Sequence, residues 1–164
     1  MHLPRLLPDL QFDRLGPSQS DFCYSYEIKR AAMAPHVAPH WGWDEDVQRE
    51  IHRGHYATKP FYAIRRHEKN IGALSFHLRA TDIRLGEFYL HPQWHNQGIG
   101  SRILAHCLGV ADNMGLPVRL EYLRWNPVGR LYARFGFHEV GRSDIHIQMQ
   151  RPAPAHGVHP ARRS

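Results

Sequence analysis

Apolar and polar residues alternate weakly over residues 11–15, which predicts a short first strand. Gly16-Pro17-Ser18 breaks it, and Ser18 or Ser20 can cap a helix running to about Met33. Pro35 and Pro39, in the doubled Ala-Pro-His of residues 34–40, are expected to stop that helix. A loop carrying His36, His40, Trp41 and Trp43 should follow; the doubling is too short to be a structural repeat. Asp44-Glu45-Asp46 then places negative charge in the first turn of a second helix, to about His55, where it suits the helix dipole. Residues 61–64, 71–78 and 83–90 read as a three-stranded meander with polar turns at 66–70 and 80–82, and Pro92 ends it. Gly98-Ile-Gly100 opens an amphipathic helix that turns Ile103, Leu104, Cys107, Leu108, Val110 and Ala111 inward and ends at Gly115. Residues 118–123 form a strand. Asn126-Pro127 starts a short helix closed by Gly136, and residues 137–140 and 144–149 read as a final strand pair.

The order is β-α-α-β-β-β-α-β-α-β-β, which predicts an α/β (mixed α+β) fold: one mixed sheet with helices on both faces. The chain's 164 residues suffice for one domain, assigned to residues 1–151. Residues 152–164 lack core-forming side chains and are expected to be a disordered tail.

Composition narrows the class. Apolar residues are 42% and charged residues 22%, enough to bury a core and unlike a disordered chain. No apolar run approaches about eighteen residues, which excludes a spanning helix. The first eight residues carry no continuous apolar stretch, so no secretory leader is expected and the cytoplasm is the expected compartment. The formal net charge of +6 suggests a polyanionic partner: nucleic acid, an acidic membrane or a phosphate-rich cofactor. Only Lys29, Lys59 and Lys69 are lysines, and arginine's planar fork suits phosphate. Cys23 and Cys107 are far apart in apolar-periodic stretches and read as free thiols. Metal is not expected. Prolines separate His36 from His40 and His91 from His95, and the His52/His55 pair has no third ligand at a recognisable spacing.

Residues 85–104 carry the chemistry. A strand ends, a short loop follows, and paired glycines open a helix, so backbone N–H groups and the helix dipole can converge on an anion, with Arg102 in the first turn. A nucleoside-triphosphate loop needs Gly-Lys-Ser/Thr, and Gly100 is followed by Ser101-Arg102. A dinucleotide fingerprint needs glycine at position 103, which is Ile. A glycine-started helix with no ligand is the plain alternative.

Residues 120–137 add Asn126, Leu131-Tyr132 and Gly136-Phe137. Together the two segments resemble the GCN5-related N-acetyltransferase (GNAT) superfamily. Its acyl-CoA loop reads Arg/Gln-x-x-Gly-x-Gly/Ala after a strand and His-Pro, and its later signature is Asn, then Leu-Tyr, then Gly-Phe. The likeness is anchored on residues 85–137, with two departures. His95 stands where the family has Arg or Gln, and Asn126 precedes Tyr132 by six residues, one fewer than the common spacing.

The resemblance implies acetyl-CoA as acyl donor and direct transfer to an amine in a ternary complex, in a partly splayed sheet. Acyl transfer needs an uncharged amine, an oxyanion donor and a proton for the leaving thiolate. By the resemblance, the backbone of Tyr89 and Leu90 would hold the pantetheine arm. His95, Asn96, Gln97, Gly98, Ile99, Gly100, Ser101 and Arg102 would form the pyrophosphate loop, and Asn126 would hold the CoA arm. Tyr132 would protonate the thiolate; otherwise it is a core tyrosine. Glu87, Glu121 or a water chain would supply the base. Cys107 belongs to the core.

The acceptor should meet the first two helices. Trp41, Trp43, Asp44 and Glu45 are the candidate contacts, since aromatic faces and carboxylates suit a cationic amine. Residues 43–50 hold four acids against Arg49, a net of −3, whereas residues 95–142 hold six arginines against three acids, a net of +3. An ordinary acidic helix start over packed tryptophans is the bland alternative. The expected function is acetylation of a small cationic amine, with a peptide acceptor or a catalytically idle acyl-CoA sensor as rivals. Neither nucleic acid nor membrane is expected as a partner, and a homodimer is left open.

Overall fold

The computed structural model describes residues 9–155. The eight amino-terminal residues and the greater part of the expected tail, residues 156–164, lie outside the described residues, and with them most of the leader and tail expectations. Strands β1 (Leu10–Arg14), β2 (Phe61–Arg66), β3 (Lys69–Leu78), β4 (Ile83–Leu90), β5 (Val118–Leu123), β6 (His138–Arg142) and β7 (His146–Arg151) join in one sheet ordered β1-β2-β3-β4-β5-β7-β6. Helices α1 (Gln19–Trp41), α2 (Glu45–Thr58), α3 (Ile99–Met114) and α4 (Gly129–Arg134) complete the expected order. Only β4 and β5 run parallel, as a crossover through α3 requires.

Both sheet faces are covered. In β2, Phe61 and Ala63 turn to one side and pack with Tyr24 and Tyr56 of α1 and α2, while Tyr62 and Ile64 turn to the other. There they join Ile99, Ile103, Leu104, Cys107, Leu108 and Ala111 of α3. Each fully buried Leu or Ile contributes about 1.5–3 kcal/mol relative to exposure. Cys107 is part of this core, and burial pushes its thiol up to about 12, so it stays protonated.

The first helix departs from the expectation. It does not end near Met33 but runs on through Pro35 and Pro39 to Trp41, closed by Gly42 N–H on Ala38 O at 2.8 Å. A proline inside a helix costs about 3 kcal/mol. Here the two are four residues apart and exposed, so both lost donors fall on one outward side. Meanwhile Ala32 and Val37 are buried inward, and His36 O accepts from Trp125 Nε1 at 2.7 Å. Tertiary packing outweighs local propensity, and the expected loop is helix. His36 and His40 therefore share a helix after all. Among the described residues, no group of three or more His, Cys, Asp or Glu is arranged to hold a metal ion.

Two features of β4 position the site. Its ladder to β5 holds only at Ile83↔Val118 and Arg84↔Arg119, after which the strands part. Toward β3, Gly86 pairs with Ser75 and Tyr89 with Ala73, so Glu87 and Phe88 together oppose Leu74 in a bulge. Glu87 adopts φ +51°, which re-aims its side chain. A turn of 3₁₀ helix, Pro92–Trp94, follows β4 and was not expected from the sequence. No helix of the described residues is long and apolar enough to cross a membrane.

Candidate active site

A cleft of about 270 Å³ opens where β4 and β5 part. Its floor is Leu85–Tyr89 and Leu120–Leu123, Asn126 and Tyr132 close one side, and Lys29, Met33, Val37, Trp41, Trp43 and His55 of α1, α2 and their link form the other.

Glu87 is the electrostatic centre. Its Oε1 lies 3.4 Å from Lys59 Nζ and 3.1 Å from His55 Nδ1, the latter without the alignment of a full hydrogen bond. Its Oε2 accepts a very short hydrogen bond from Tyr89 OH. Burial pushes the carboxyl up, but His55, Tyr89 and Lys59 together prevail and hold it well below the usual carboxylate range. Tyr89 is driven the other way, well above an ordinary phenol, by burial and by the Glu87 charge. Glu121, the sequence's rival base, is exposed on the same cleft and pairs with Arg84 at 3.3 Å.

Behind this group, His52 is fully buried. Ser25 Oγ donates to Phe22 O at 2.8 Å, so it can only accept at 2.7 Å from His52 Nε2, which fixes the tautomer. Burial and the nearby Lys29 push His52 down to about 4, so it is neutral at pH 7.

Tyr132 sits in α4 with its ring against Tyr122 and Phe137. Burial pushes its phenol up to about 12. Its hydroxyl makes no hydrogen bond among the described residues although the residue lines the cleft, as does Asn126 with an equally uncommitted side chain. A protonated, unengaged phenol is the right state for a proton donor.

Beyond the end of β4 the loop curls through positive φ at Asn96 (+59°) and Gly98 (+75°) before α3 begins. Gly98 is needed there because a side chain is strained at that φ. The N-cap makes no side-chain bond, so the first-turn amides of Ile99, Gly100 and Ser101 are left for an anion, the dipole's positive end among them. This cradle, together with the bare β4 edge, fits the pyrophosphate and amide-bearing arm of a coenzyme A thioester. Two side chains sit differently from the expectation. Arg102 is bound to Asp9 at 2.6 and 3.3 Å, with Arg66 on the same carboxylate at 3.1 Å, so its guanidinium is not a free phosphate ligand. Asp9 is held well below the carboxylate range by Arg102. His95 Nε2 donates to Leu90 O at 2.8 Å, covering one of the strand-edge groups, and Gln97 bonds to Gln93 O at 2.8 Å.

The segment expected to meet the acceptor divides. Trp41 and Trp43 line the cleft, whereas Asp44 and Glu45 do not. Asp44 caps α2 by accepting from Val47 N–H at 3.0 Å. Glu45 accepts from Tyr26 OH at 2.6 Å and from Trp43 Nε1 at 3.0 Å, and meets Arg30 at 3.3 Å. Their charges are spent on structure. The sequence reading missed Lys29, His55 and Lys59, which surround Glu87. A signal existed for Lys29: it stands one turn before Met33 and two before Val37 on an otherwise apolar stripe.

The geometry has relatives. No curated protein matches the chain by sequence. Its fold is shared, at sequence identities that speak for fold alone, by PH1933 from Pyrococcus horikoshii OT3 (TM-score 0.73, 17% identity, covering 90% of this chain and 100% of that one). The PaiA N-acetyltransferase of Thermoplasma acidophilum, solved in complex with coenzyme A, superposes with TM-score 0.69 at 19% identity (88% and 99% covered). The ribosomal-protein-S18-alanine N-acetyltransferase of Escherichia coli gives 0.66 at 17% identity (92% and 98% covered). A family model described as an acetyltransferase (GNAT) domain matches residues 57–139, half of the chain and the stretch that carries β4, the loop, α3 and Tyr132. The parted strands, the amide cradle and that match agree: the chain belongs to the GNAT family of acetyl-CoA-dependent acyltransferases.

Proposed function

We propose that the protein acetylates the primary amine of a small molecule by direct transfer within a ternary complex, in the cytoplasm. The observation that supports this most is the uncommitted, protonated Tyr132 on the same cleft as the Glu87–His55 pair. Acetyl-CoA, when bound, supplies an electrophilic thioester carbonyl and a thiolate leaving group. The amides of Ile99, Gly100 and Ser101 bind its pyrophosphate, and the β4 edge and Asn126 orient its arm.

Glu87 attracts the incoming ammonium. Held well below the usual range, it is a weak base by itself, so the proton passes to His55, which Glu87 orients, or to water held between them. Tyr132 Oη then gives its proton to the departing sulfur. The walls are apolar and aromatic on the α1 side, which favours a small amine entering a lined cleft. The expectation of a strongly cationic acceptor drew on Asp44 and Glu45; with those carboxylates committed, the amine itself and Glu87 carry the recognition.

A thiol-release screen with acetyl-CoA across polyamines, aminoglycosides, amino acids and amino-terminal peptides tests the reading. Turnover of small amines supports it. Turnover of peptides alone, or acetyl-CoA binding with no turnover of any amine, contradicts it.

A further inference from the structure

Lys29 is the one lysine buried in the described structure, at 6% exposure, and it lines the cleft. Among the described residues, no carboxylate oxygen lies within 4 Å of its ammonium and no hydrogen bond engages it. The obvious counter-charge, Glu87, already serves Lys59 at 3.4 Å, His55 at 3.1 Å and the Tyr89 hydroxyl. Glu121, the cleft's other acid, is matched by Arg84 at 3.3 Å. Two ammonium groups therefore meet one carboxylate on the inner side, an excess of one positive charge. A buried cation without a partner is unfavourable, and folds keep one where a ligand completes it.

The rest of that wall is apolar. Lys29, Met33, Val37 and Trp41 recur every four residues, so they share one face of α1. At 1.5 Å per residue, Trp41 stands about 18 Å from Lys29 along the helix. The Trp41 end lies against Trp125, beyond β5. The Lys29 end lies beside β4 and the Glu87 group, where burial lowers the Lys29 ammonium and Glu87 opposes that fall. The cleft thus presents a cation and an anion at its inner end and an apolar ramp leading outward.

We propose that the acceptor is a zwitterion, an α-amino acid with an apolar side chain, whose carboxylate is received by Lys29. Its ammonium meets Glu87, and its side chain lies along Met33, Val37 and Trp41. A single free cation suits a monoanionic carboxylate rather than a phosphate, for which no second basic side chain is free on that wall. This rests on the reading of the cleft as the acceptor site of a small-molecule N-acetyltransferase.

Isothermal titration of CoA-loaded protein with L-phenylalanine and L-methionine, their carboxamides and phenethylamine tests it, beside thiol release with the same compounds. The acids should bind about 10- to 100-fold more tightly than the amides and the amine, the range for one charge-assisted contact. Lys29→Met should abolish that preference by weakening the acids without weakening the amides or the amine. Equal binding of acids and amides by wild type overturns the proposal, even if Lys29→Met does not fold. A loss shared equally by acids and amides in the variant also overturns it, as does failure of every compound to bind. The underlying reading fails separately. Lys29-dependent binding of the acids with no thiol release sustains the pocket assignment and rejects acetyl transfer. Thiol release from amines without an acid preference does the reverse.

Discussion

Tyr132 and His52 show how one physical cause, burial, serves two purposes. For Tyr132 the raised phenol, about 12, keeps the proton in place across the working range. Tyr132→Phe should lower kcat by about 10²- to 10⁴-fold, the usual worth of a positioned acid, with acetyl-CoA affinity unchanged by calorimetry. A variant within threefold of wild type would remove Tyr132 from the chemistry. For His52 the consequence is stability. Its folded value, about 4, lies below the unfolded 6.5, so the unfolded chain binds more protons between those limits. Its contribution is fully present above pH 6.5 and declines as pH falls toward 4, by about 3 kcal/mol in total. Glu87, also lowered, adds a loss of the same sign that begins as pH falls through the ordinary carboxylate value of 4.5. His52→Gln keeps an N–H donor for Ser25 and cannot titrate, so urea melts of the variant should lose most of the dependence between pH 6.5 and 4.5.

At the scale of elements, the proposed function leans on β4 because that strand is irregular. The bulge at Glu87 and Phe88 requires β3 to approach closely, and Gly72 permits it. A Cβ at Gly72 would collide with Tyr89 O and come within 2.9 Å of Leu90 Cδ2. Gly72→Ala should therefore destabilise the fold by about 1–3 kcal/mol, as overpacking does. It should also reduce activity more than a surface change of equal stability effect, since the displaced atoms belong to β4, the strand proposed to hold the donor. Denaturant midpoints and kcat/KM measured together would check both. The meander and α3 were legible in the sequence because alternation and a glycine-bounded amphipathic run are local signals. The end of α1 was not legible. Proline's local penalty was read correctly, but Val37 packing and the Trp125 bond to His36 O come from residues distant in sequence.

At the scale of the whole molecule, the basic excess of residues 95–142 is partly neutralised by folding. Arg102, Arg119 and Arg142 pair with Asp9, Asp82 and Glu139. With the amide cradle proposed as the coenzyme's phosphate site, a bound nucleotide should stabilise the native state through linkage. Coenzyme A at 100 times its Kd should add about 2.7 kcal/mol, raising Tm by about 5–11 °C. The shift should shrink with added salt, since the cradle and its phosphates interact electrostatically at the surface. Scanning fluorimetry at two ionic strengths measures this; no shift at millimolar coenzyme A would contradict the cradle's assignment.

The sequence by itself determined the element order, the glycine-opened α3 beneath the loop, and the family. Those depend on periodicity and on residues contiguous in the chain. Only the tertiary structure decided which charges meet in the cleft. Lys29, His55, Lys59 and Glu87 come from three separate segments, α1, the end of α2 and β4, and acquire meaning as a charge group only when α1 and α2 close over the parted strands. The same closure committed Asp44 and Glu45 to a helix cap and a tyrosine. Charge counted along the chain measures supply; which charge remains unpaired is fixed by the distances that folding sets.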